Sequence, residues 1–188
     1  MNLSIVIPIY NEAENIRLLH QSIQDALRDI QDLDWEVVYV DDGSSDNSIQ
    51  VLEELATNDE NICLIELRRN FGQTAAIAAG LDYAQGDIIV LMDADMQNDP
   101  HDIPMMLEKI NQGYDLVSGW RINRQDTFIT RTLPSRIANW IISTVTGVHL
   151  HDYGCTLKAY RKEVIKGFRL YGEMHRFIPA YASSVGEK

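Results

Sequence analysis

Residues 88–100 read IIVLMDADMQNDP, and this stretch best explains the organisation of the chain. Residues 88–92 have the length and β-branched content of a strand that is buried on both faces. Because side chains alternate along an extended chain, Asp93 and Asp95 are predicted to point to the same side. With the amide of Gln97 just beyond, they form an oxygen-rich group suited to Mg²⁺ or Mn²⁺. A turn that only exposes its acidic side chains to water is the alternative, since a D-x-D alone is common.

Strand and helix patterns alternate on both sides of this stretch. Strands are predicted at residues 3–7, 35–40, 62–67 and 116–118, and helices at 48–57, 74–84, 101–111 and from an Asn11 cap to about Asp29. This alternation predicts an α/β fold with a mainly parallel sheet flanked by helices. Ligands of such sheets bind outside the carboxyl ends of the strands. We therefore expect the polar clusters at 8–12, 41–42 and 93–97 to meet at one edge.

The pattern changes after residue 120. We predict a loop over 120–131 that contains three arginines, an amphipathic helix over 134–147, a strand over 156–160 and a short helix over 162–166. A last helical stretch is expected after residues 172–179.

The composition is that of a soluble globular protein, with 188 residues, 45% hydrophobic and 23% charged. The net charge of −12 argues against sequence-independent binding to nucleic acid, and we expect no nucleic-acid partner. Cys63 and Cys155 are too few for a disulfide framework and indicate a reducing compartment.

The sequence shows no targeting or membrane segment. The first apolar run lacks a basic region before it, so we expect no signal peptide. The longest mostly apolar stretch, residues 137–148, is too short to span a bilayer. We expect the chain as given to be soluble, and its end at Lys188, without an obvious closing element, predicts that it is part of a longer protein.

Other α/β enzymes fit the motifs less well. A dinucleotide dehydrogenase needs G-x-G-x-x-G after its first strand, but residues 8–12 contain no glycine, and a P-loop is also absent. A phosphatase or a phosphoacceptor receiver domain would carry its key aspartate after an early strand. Asp41 and Asp42 make a receiver conceivable, but the chain after residue 120 would then have no purpose.

Four segments together resemble a known family. They are IVIPIYNEAENI (5–16), VVYVDDGSSDNS (37–48), RRNFGQTAAIAAGLDYAQGDIIVLMDADMQNDP (68–100) and GCTLKAYR (154–161). They resemble the family 2 glycosyltransferases with a GT-A fold, and more narrowly the polyprenyl-phosphate glycosyltransferases of the dolichyl-phosphate mannose synthase and bactoprenol glucosyltransferase type. GEMHRFIP (172–179) resembles the bacterial branch.

The resemblance implies inverting transfer of a sugar from a nucleotide-sugar, with UDP favoured, to a polyprenyl phosphate of the undecaprenyl type. It implies a single catalytic domain over 1–188, in which 1–119 bind the nucleotide-sugar and 120–188 form the acceptor side. Bacterial relatives often carry membrane helices after this region, and we expect them beyond this chain. The full-length protein is then expected at the cytoplasmic face of the inner membrane, in contact with the membrane surface, and a homo-oligomer is left open.

The resemblance also implies roles for the donor side. The nucleotide is expected near Pro8, Tyr10, Glu12, Asp41, Asp42 and Asp93. Asp93, Asp95 and Gln97 would hold Mg²⁺ or Mn²⁺ on the diphosphate, where the cation assists the leaving group as a Lewis acid. Arg121 would reach the donor phosphates. Gln73 stands where many relatives carry Lys, so one donor-phosphate contact is expected to be lost or replaced.

On the acceptor side, the candidates for binding the lipid phosphate are Arg131, Arg136, His175 and Arg176, since arginine matches phosphate oxygens bidentately. Asp152 would orient the acceptor or act as a base. A strong base is not required, because a phosphate is already ionised near neutral pH, its second pKa being about 6.

Two alternatives to this function remain. The same fold could transfer to a sugar hydroxyl, but the Q-x-x-R-W motif of processive synthases is absent and GEMHRFIP argues against it. A non-catalytic domain is the other alternative, but such a domain would not need Asp93, Asp95 and Gln97.

Overall fold

The computed structural model describes residues 1–120 and 155–165. Six strands are present in this part of the chain: β1 (Asn2–Ile9), β2 (Asp34–Asp41), β3 (Ile62–Glu66), β4 (Ile88–Leu91), β5 (Leu116–Ser118) and β6 (Lys158–Arg161). The helices are α1 (Ile16–Leu27), α2 (Ser48–Asn58), α3 (Gln73–Tyr83), α4 (Ile103–Asn111) and the short α5 (Lys162–Ile165), with a 3₁₀ turn at Pro100–Asp102 before α4. Most predicted elements are therefore correct to within a few residues.

The strands form one sheet in the order β3-β2-β1-β4-β6-β5. β1 pairs in parallel with β2 and β4, and β2 with β3, whereas β6 runs antiparallel to β4 and β5. This arrangement confirms the predicted α/β fold with a mainly parallel sheet. The chain moves outward from β1 through β2 to β3 and then crosses back to β4, so the order reverses between β1 and β4. Such a reversal leaves a crevice at the carboxyl ends of the strands.

Alternation along the strands gives the sheet two apolar faces. Ile5, Ile7 and Ile9 of β1 belong to one core cluster, which also contains the buried apolar residues of α1 and α4. Val6 belongs to the other cluster, with residues of α3 and α5. Because all four residues of β4 are buried, the prediction of a strand covered on both faces is confirmed.

Helix α3 lies very close to the sheet. A Cβ added to Gly80 would come within 2.4 Å of Cγ1 of Val6, so only glycine permits this approach. The Ala-rich composition of α3 serves the same close packing. The amino end of α3 is thereby held at the carboxyl edge of the sheet.

The strand predicted over 3–7, with Pro8 taken as its end, was too short, because β1 continues through Pro8 to Ile9. Pairing of β1 with β4 stops at Val6 and Leu91, and pairing with β2 continues to Ile9 and Asp41. Pro8 therefore lies beyond the end of β4, where its missing N–H costs no ladder hydrogen bond.

The predicted cap at Asn11 was also wrong. Helix α1 begins at Ile16, and Asn11 has a φ of 57°, in the left-handed region. Its side-chain oxygen accepts hydrogen bonds from the backbone N–H groups of Ser45 at 2.8 Å and Asp46 at 3.3 Å. Asn11 thus ties the end of β1 to the loop after β2.

Some predictions lie outside the described residues. These are the helix over 134–147, the stretch after 172–179, and all of the loop over 120–131 except Trp120, which is exposed. Within residues 1–120 and 155–165, no helix has the length and apolar character needed to cross a membrane.

Candidate functional site

An open cleft of about 330 Å³ lies at the carboxyl edge of the sheet, where the strand order reverses. It is lined by Pro8, Ile9, Tyr10, Glu12, Asp42, Asn70, Gly72, Gln73, Asp93, Ala94 and Asp95. The loops after β1, β2, β3 and β4 all contribute, because these parallel strands end at the same edge. The polar clusters that the sequence placed at separate strand ends are therefore brought into one cavity.

The described lining of this cleft is acidic. It contains the carboxyl groups of Glu12, Asp42, Asp93 and Asp95 and no Lys, Arg or His. Carboxylates that face one another across a partly enclosed site repel a bound anion and attract a cation. A phosphorylated ligand would need a counter-cation to occupy this part of the cleft.

Asp93 follows β4 by two residues, and other elements hold its carboxylate. The side-chain amide of Gln73, at the start of α3, donates a hydrogen bond of 2.7 Å to Oδ1. The hydroxyl of Thr156, just before β6, donates to Oδ2. Asp93 is half-buried; its bond with Thr156 is partly shielded from water, whereas its bond with Gln73 is exposed.

Asp95 has a different environment. It is exposed, and its Oδ1 accepts a hydrogen bond of 3.0 Å from the backbone N–H of Gln97 in the same turn. Ala94, between the two acids, is buried. Met96 has a φ of 59°, which closes the turn behind Asp95. This geometry leaves Asp95 directed to the cleft, and the part of Gln97 as a metal ligand stays a prediction.

Asp42 organises the loop between β3 and α3. Its two carboxylate oxygens accept hydrogen bonds of 2.8 Å from the backbone N–H groups of Phe71 and Gly72. Asp42 is only 3% exposed. The carboxylate that resemblance placed beside a nucleotide therefore also shapes the wall of the cleft, and each oxygen keeps a second lone pair for a ligand.

Asp41 lies beside the cleft and is 2% exposed. Its Oδ2 accepts a hydrogen bond of 3.0 Å from the backbone N–H of Ser44. Its Oδ1 is buried and has no hydrogen-bond partner within the part of the chain that the structure describes. In the sheet register Asp41 is opposite Ile9, which lines the cleft. A buried carboxylate oxygen is costly to leave unbonded, so this atom calls for a hydrogen-bond donor.

Aromatic rings lie at the rim of the same edge. Tyr10 lines the cleft and is 48% exposed. Phe71 is also exposed, and the guanidinium of Arg69 lies 4.9 Å from the centre of its ring. An exposed ring beside a polar cleft offers a surface on which a planar ligand group can stack.

The residues predicted from sequence divide into three sets. Those that line the cleft are Pro8, Tyr10, Glu12, Asp42, Asp93 and Asp95, and those next to it are Asp41 and Gln97. The remaining candidates, Arg121, Arg131, Arg136, Asp152, His175 and Arg176, lie outside the described residues. Their roles stay predictions.

Two contributors were missed by the reasoning from sequence. Asn70 lines the cleft, and its place after β3 could have indicated this, because that strand also ends at the active edge. Thr156 bonds to Asp93, but no local pattern indicates it. Its position depends on strand pairing between segments that are far apart in the sequence.

Solved structures with the same fold hold nucleotide-sugars and metal. The crystal structure of S. aureus TarS 1-349 in complex with UDP-GlcNAc superposes with a TM-score of 0.68 at 21% identity. The superposition covers 100% of this chain and 55% of the TarS chain. Glucosyl-3-phosphoglycerate synthase from Mycobacterium tuberculosis, in complex with Mn²⁺, UDP and glucosyl-3-phosphoglycerate, gives a TM-score of 0.62 at 20% identity over 87% of this chain and 58% of that one. The fold is therefore that of the GT-A glycosyltransferases.

The family follows from the sequence match. The profile of Glycosyl transferase family 2 matches residues 4–168, and the chain belongs to this family. It is 45% identical over 187 residues to the dodecaprenyl-phosphate galacturonate synthase of Rhizobium johnstonii. That match covers 98% of this chain and 55% of the synthase. It is 43% identical over 188 residues to the undecaprenyl-phosphate 4-deoxy-4-formamido-L-arabinose transferase of Pectobacterium carotovorum, covering 100% of this chain and 57% of that protein. The chain thus spans about half the length of the curated relatives it matches.

Proposed function

We propose that this chain is the catalytic part of an inverting glycosyltransferase that moves a sugar from a UDP-sugar to a polyprenyl phosphate of the undecaprenyl type. The observation that carries the proposal is the acid-lined cleft with Asp93 and Asp95, in a chain whose relatives are named for transfer to dodecaprenyl or undecaprenyl phosphate. Residues 1–188 would form one domain, with the donor bound by 1–119 and the acceptor by 120–188.

The carboxylate oxygens at the cleft fit a divalent cation such as Mg²⁺ or Mn²⁺. Asp93 and Asp95 supply two carboxylates, and no group of three His, Cys, Asp or Glu side chains that could hold a metal occurs within 1–120 and 155–165. That set suits a cation bound through one or two carboxylates and completed by substrate phosphates and water. When bound, the cation would neutralise charge on the departing diphosphate.

The nucleoside would lie over β1 and β2. The ring of Tyr10 offers a stacking surface, and the buried Oδ1 of Asp41 offers an acceptor for the imide N–H of a uracil. Asp42 would hold the loop that forms the opposite wall. Together these residues bind and orient the donor so that its anomeric carbon faces the open side of the cleft.

The acceptor would react through its own phosphate. A phosphate oxygen attacks the anomeric carbon from the side opposite the diphosphate, the bond from that carbon to the diphosphate oxygen breaks, and the configuration inverts. A phosphate is ionised near neutral pH, with a second pKa of about 6, so no proton needs to be removed from it. Arg131, Arg136, His175 and Arg176 are the candidates for binding the acceptor, with Arg121 on the donor phosphates and Asp152 orienting the acceptor.

The acceptor also implies a location. A polyprenyl phosphate resides in a membrane, so the enzyme must reach the membrane surface. In the full-length protein we expect this to be the cytoplasmic face of the inner membrane, where nucleotide-sugars are available.

A donor screen tests the function. The chain is incubated with UDP- and GDP-sugars, Mn²⁺ and undecaprenyl phosphate in detergent, and lipid products are detected by mass spectrometry. We expect a glycosyl undecaprenyl phosphate from a UDP-sugar and none when undecaprenol replaces the phosphate. Turnover of a donor without any lipid-linked product, or transfer to a sugar hydroxyl instead, would overturn the proposed acceptor.

A further inference from the structure

We propose that Thr156 and Gln73 are positioning residues that fix the Asp93 carboxylate for binding the cation and diphosphate. This inference rests on the proposed function, because it assigns these residues a part in that site. Both residues would act through their hydrogen bonds to the Asp93 carboxylate. The amide of Gln73 donates to Oδ1 at 2.7 Å, and the hydroxyl of Thr156 donates to Oδ2.

Strand pairing explains why Thr156 reaches Asp93. In the antiparallel pair of β4 and β6, Ile88 lies opposite Arg161 and Leu91 opposite Lys158. The same register, continued two residues past the end of β4, brings Asp93 opposite Thr156. The pairing of β4 with β6 therefore places the two residues side by side, each two positions beyond the paired segment.

A buried polar chain orients the hydroxyl of Thr156. The thiol of Cys155 donates to Oδ1 of Asn98 at 3.5 Å, and Nδ2 of Asn98 donates to Oγ1 of Thr156 at 3.5 Å. Both Cys155 and Asn98 are buried. Because Oγ1 of Thr156 accepts from Asn98, its own proton is directed to Asp93. In this series of hydrogen bonds, Cys155 donates to Asn98, Asn98 donates to Thr156, and Thr156 donates to Asp93.

The two donors are both uncharged. A carboxylate only accepts hydrogen bonds, so the amide of Gln73 must turn its NH₂ group to Asp93. These two neutral donors fix the rotamer of the carboxylate without adding charge to the site. Partners of this kind, one step removed from a metal, commonly set how well a ligand binds it.

Substitutions at Thr156 provide the test. Thr156→Val keeps the shape and removes the hydroxyl, and Thr156→Ser keeps the hydroxyl. Binding of Mn²⁺ in the presence of UDP is followed by the loss of the free-ion electron paramagnetic resonance signal. We expect Thr156→Val to weaken Mn²⁺ binding by about tenfold, Thr156→Ser to stay within about twofold of the unmodified chain, and Gln73→Met with Thr156→Val to weaken it further than either alone.

Controls separate this inference from the proposed function. Thr57→Val removes a hydroxyl from the exposed face of α2, far from the cleft, and should not change Mn²⁺ binding. Circular dichroism and thermal unfolding establish that Thr156→Val is folded. If the unmodified chain binds Mn²⁺ with UDP and a folded Thr156→Val binds it equally well, the positioning role is wrong. If the unmodified chain does not bind them at all, the proposed function itself fails.

Discussion

Oδ2 of Asp42 accepts a hydrogen bond of 2.8 Å from the backbone N–H of Gly72, which joins the end of β2 to the loop before α3. Gly72 has a φ of 94° and precedes Gln73, the first residue of α3. The bond therefore fixes the position at which α3 begins, and with it the amide that contacts Asp93. The buried carboxylate of Asp42 thus supports the position of the Asp93 carboxylate.

Asp42→Asn should disturb both stability and binding. The amide NH₂ would face one of the two backbone N–H groups, so one donor would lose its acceptor, at a cost of about 2 kcal/mol in the free energy of unfolding. We expect a lower urea midpoint and weaker UDP binding, measured by denaturation and calorimetry. Asp25→Asn on the exposed face of α1 is the control. An unchanged midpoint together with unchanged UDP affinity would refute the role given to Asp42.

Gly43 should tolerate no side chain. Its φ is 67°, and an added Cβ would lie 2.5 Å from the carbonyl carbon of Arg69. We expect Gly43→Ala to reduce the free energy of unfolding by about 2–3 kcal/mol, because strain at positive φ is combined with a backbone clash. Gly113 is a matched control, since its φ of 98° is also positive but an added Cβ has nothing within 4 Å. If Gly113→Ala costs as much as Gly43→Ala, the close approach of the two loops is not the cause.

Asp59 should give stability that depends on pH. Burial acts to raise its pKa, but hydrogen bonds from the backbone N–H of Asn61, from Gln24 and from His20 outweigh it and lower the pKa below the ordinary value. A carboxyl group with a lowered pKa in the folded state stabilises the protein above its unfolded pKa, about 3.9, and loses this contribution as the pH falls through the folded value.

We therefore expect the difference in unfolding free energy between the unmodified chain and Asp59→Asn to be present at about pH 5 and to narrow below about pH 4. Urea denaturation across this range measures it. Gln24→Met removes one of the donors and raises the folded-state pKa of Asp59, so the difference should be smaller at about pH 5 and should be fully lost at a higher pH. A difference that grows as the pH falls below about 5 would have the wrong sign for this explanation.

Local sequence patterns predicted the parallel half of the structure well. The apolar runs and the turn residues after them are local signals, and the rule for the carboxyl edge of α/β sheets brought Tyr10, Asp42, Asp93 and Asp95 to one place. The errors at Pro8 and Asn11 arose where tertiary contacts decided the outcome. Pro8 is tolerated because β4 has already ended, and Asn11 bonds to a loop 34 residues along the chain.

The antiparallel strand β6 could not be placed from local pattern. The sequence predicted a strand near this segment, but it did not predict that β6 would insert between β4 and β5. Pairing across more than sixty residues depends on the whole sheet, so the contact of Thr156 with Asp93 has no signature near either residue. Long-range strand pairing therefore brings to the site a residue, Thr156, that no local motif identifies.

Calorimetric titration of UDP into the chain, with Mn²⁺ or with a chelator, tests most directly whether the acidic cleft binds a nucleoside diphosphate through a divalent cation. We predict measurable binding with Mn²⁺, loss of at least about tenfold in affinity with the chelator, and a similar loss in a folded Asp95→Ala variant. Equal affinity with Mn²⁺ and with the chelator would contradict the account.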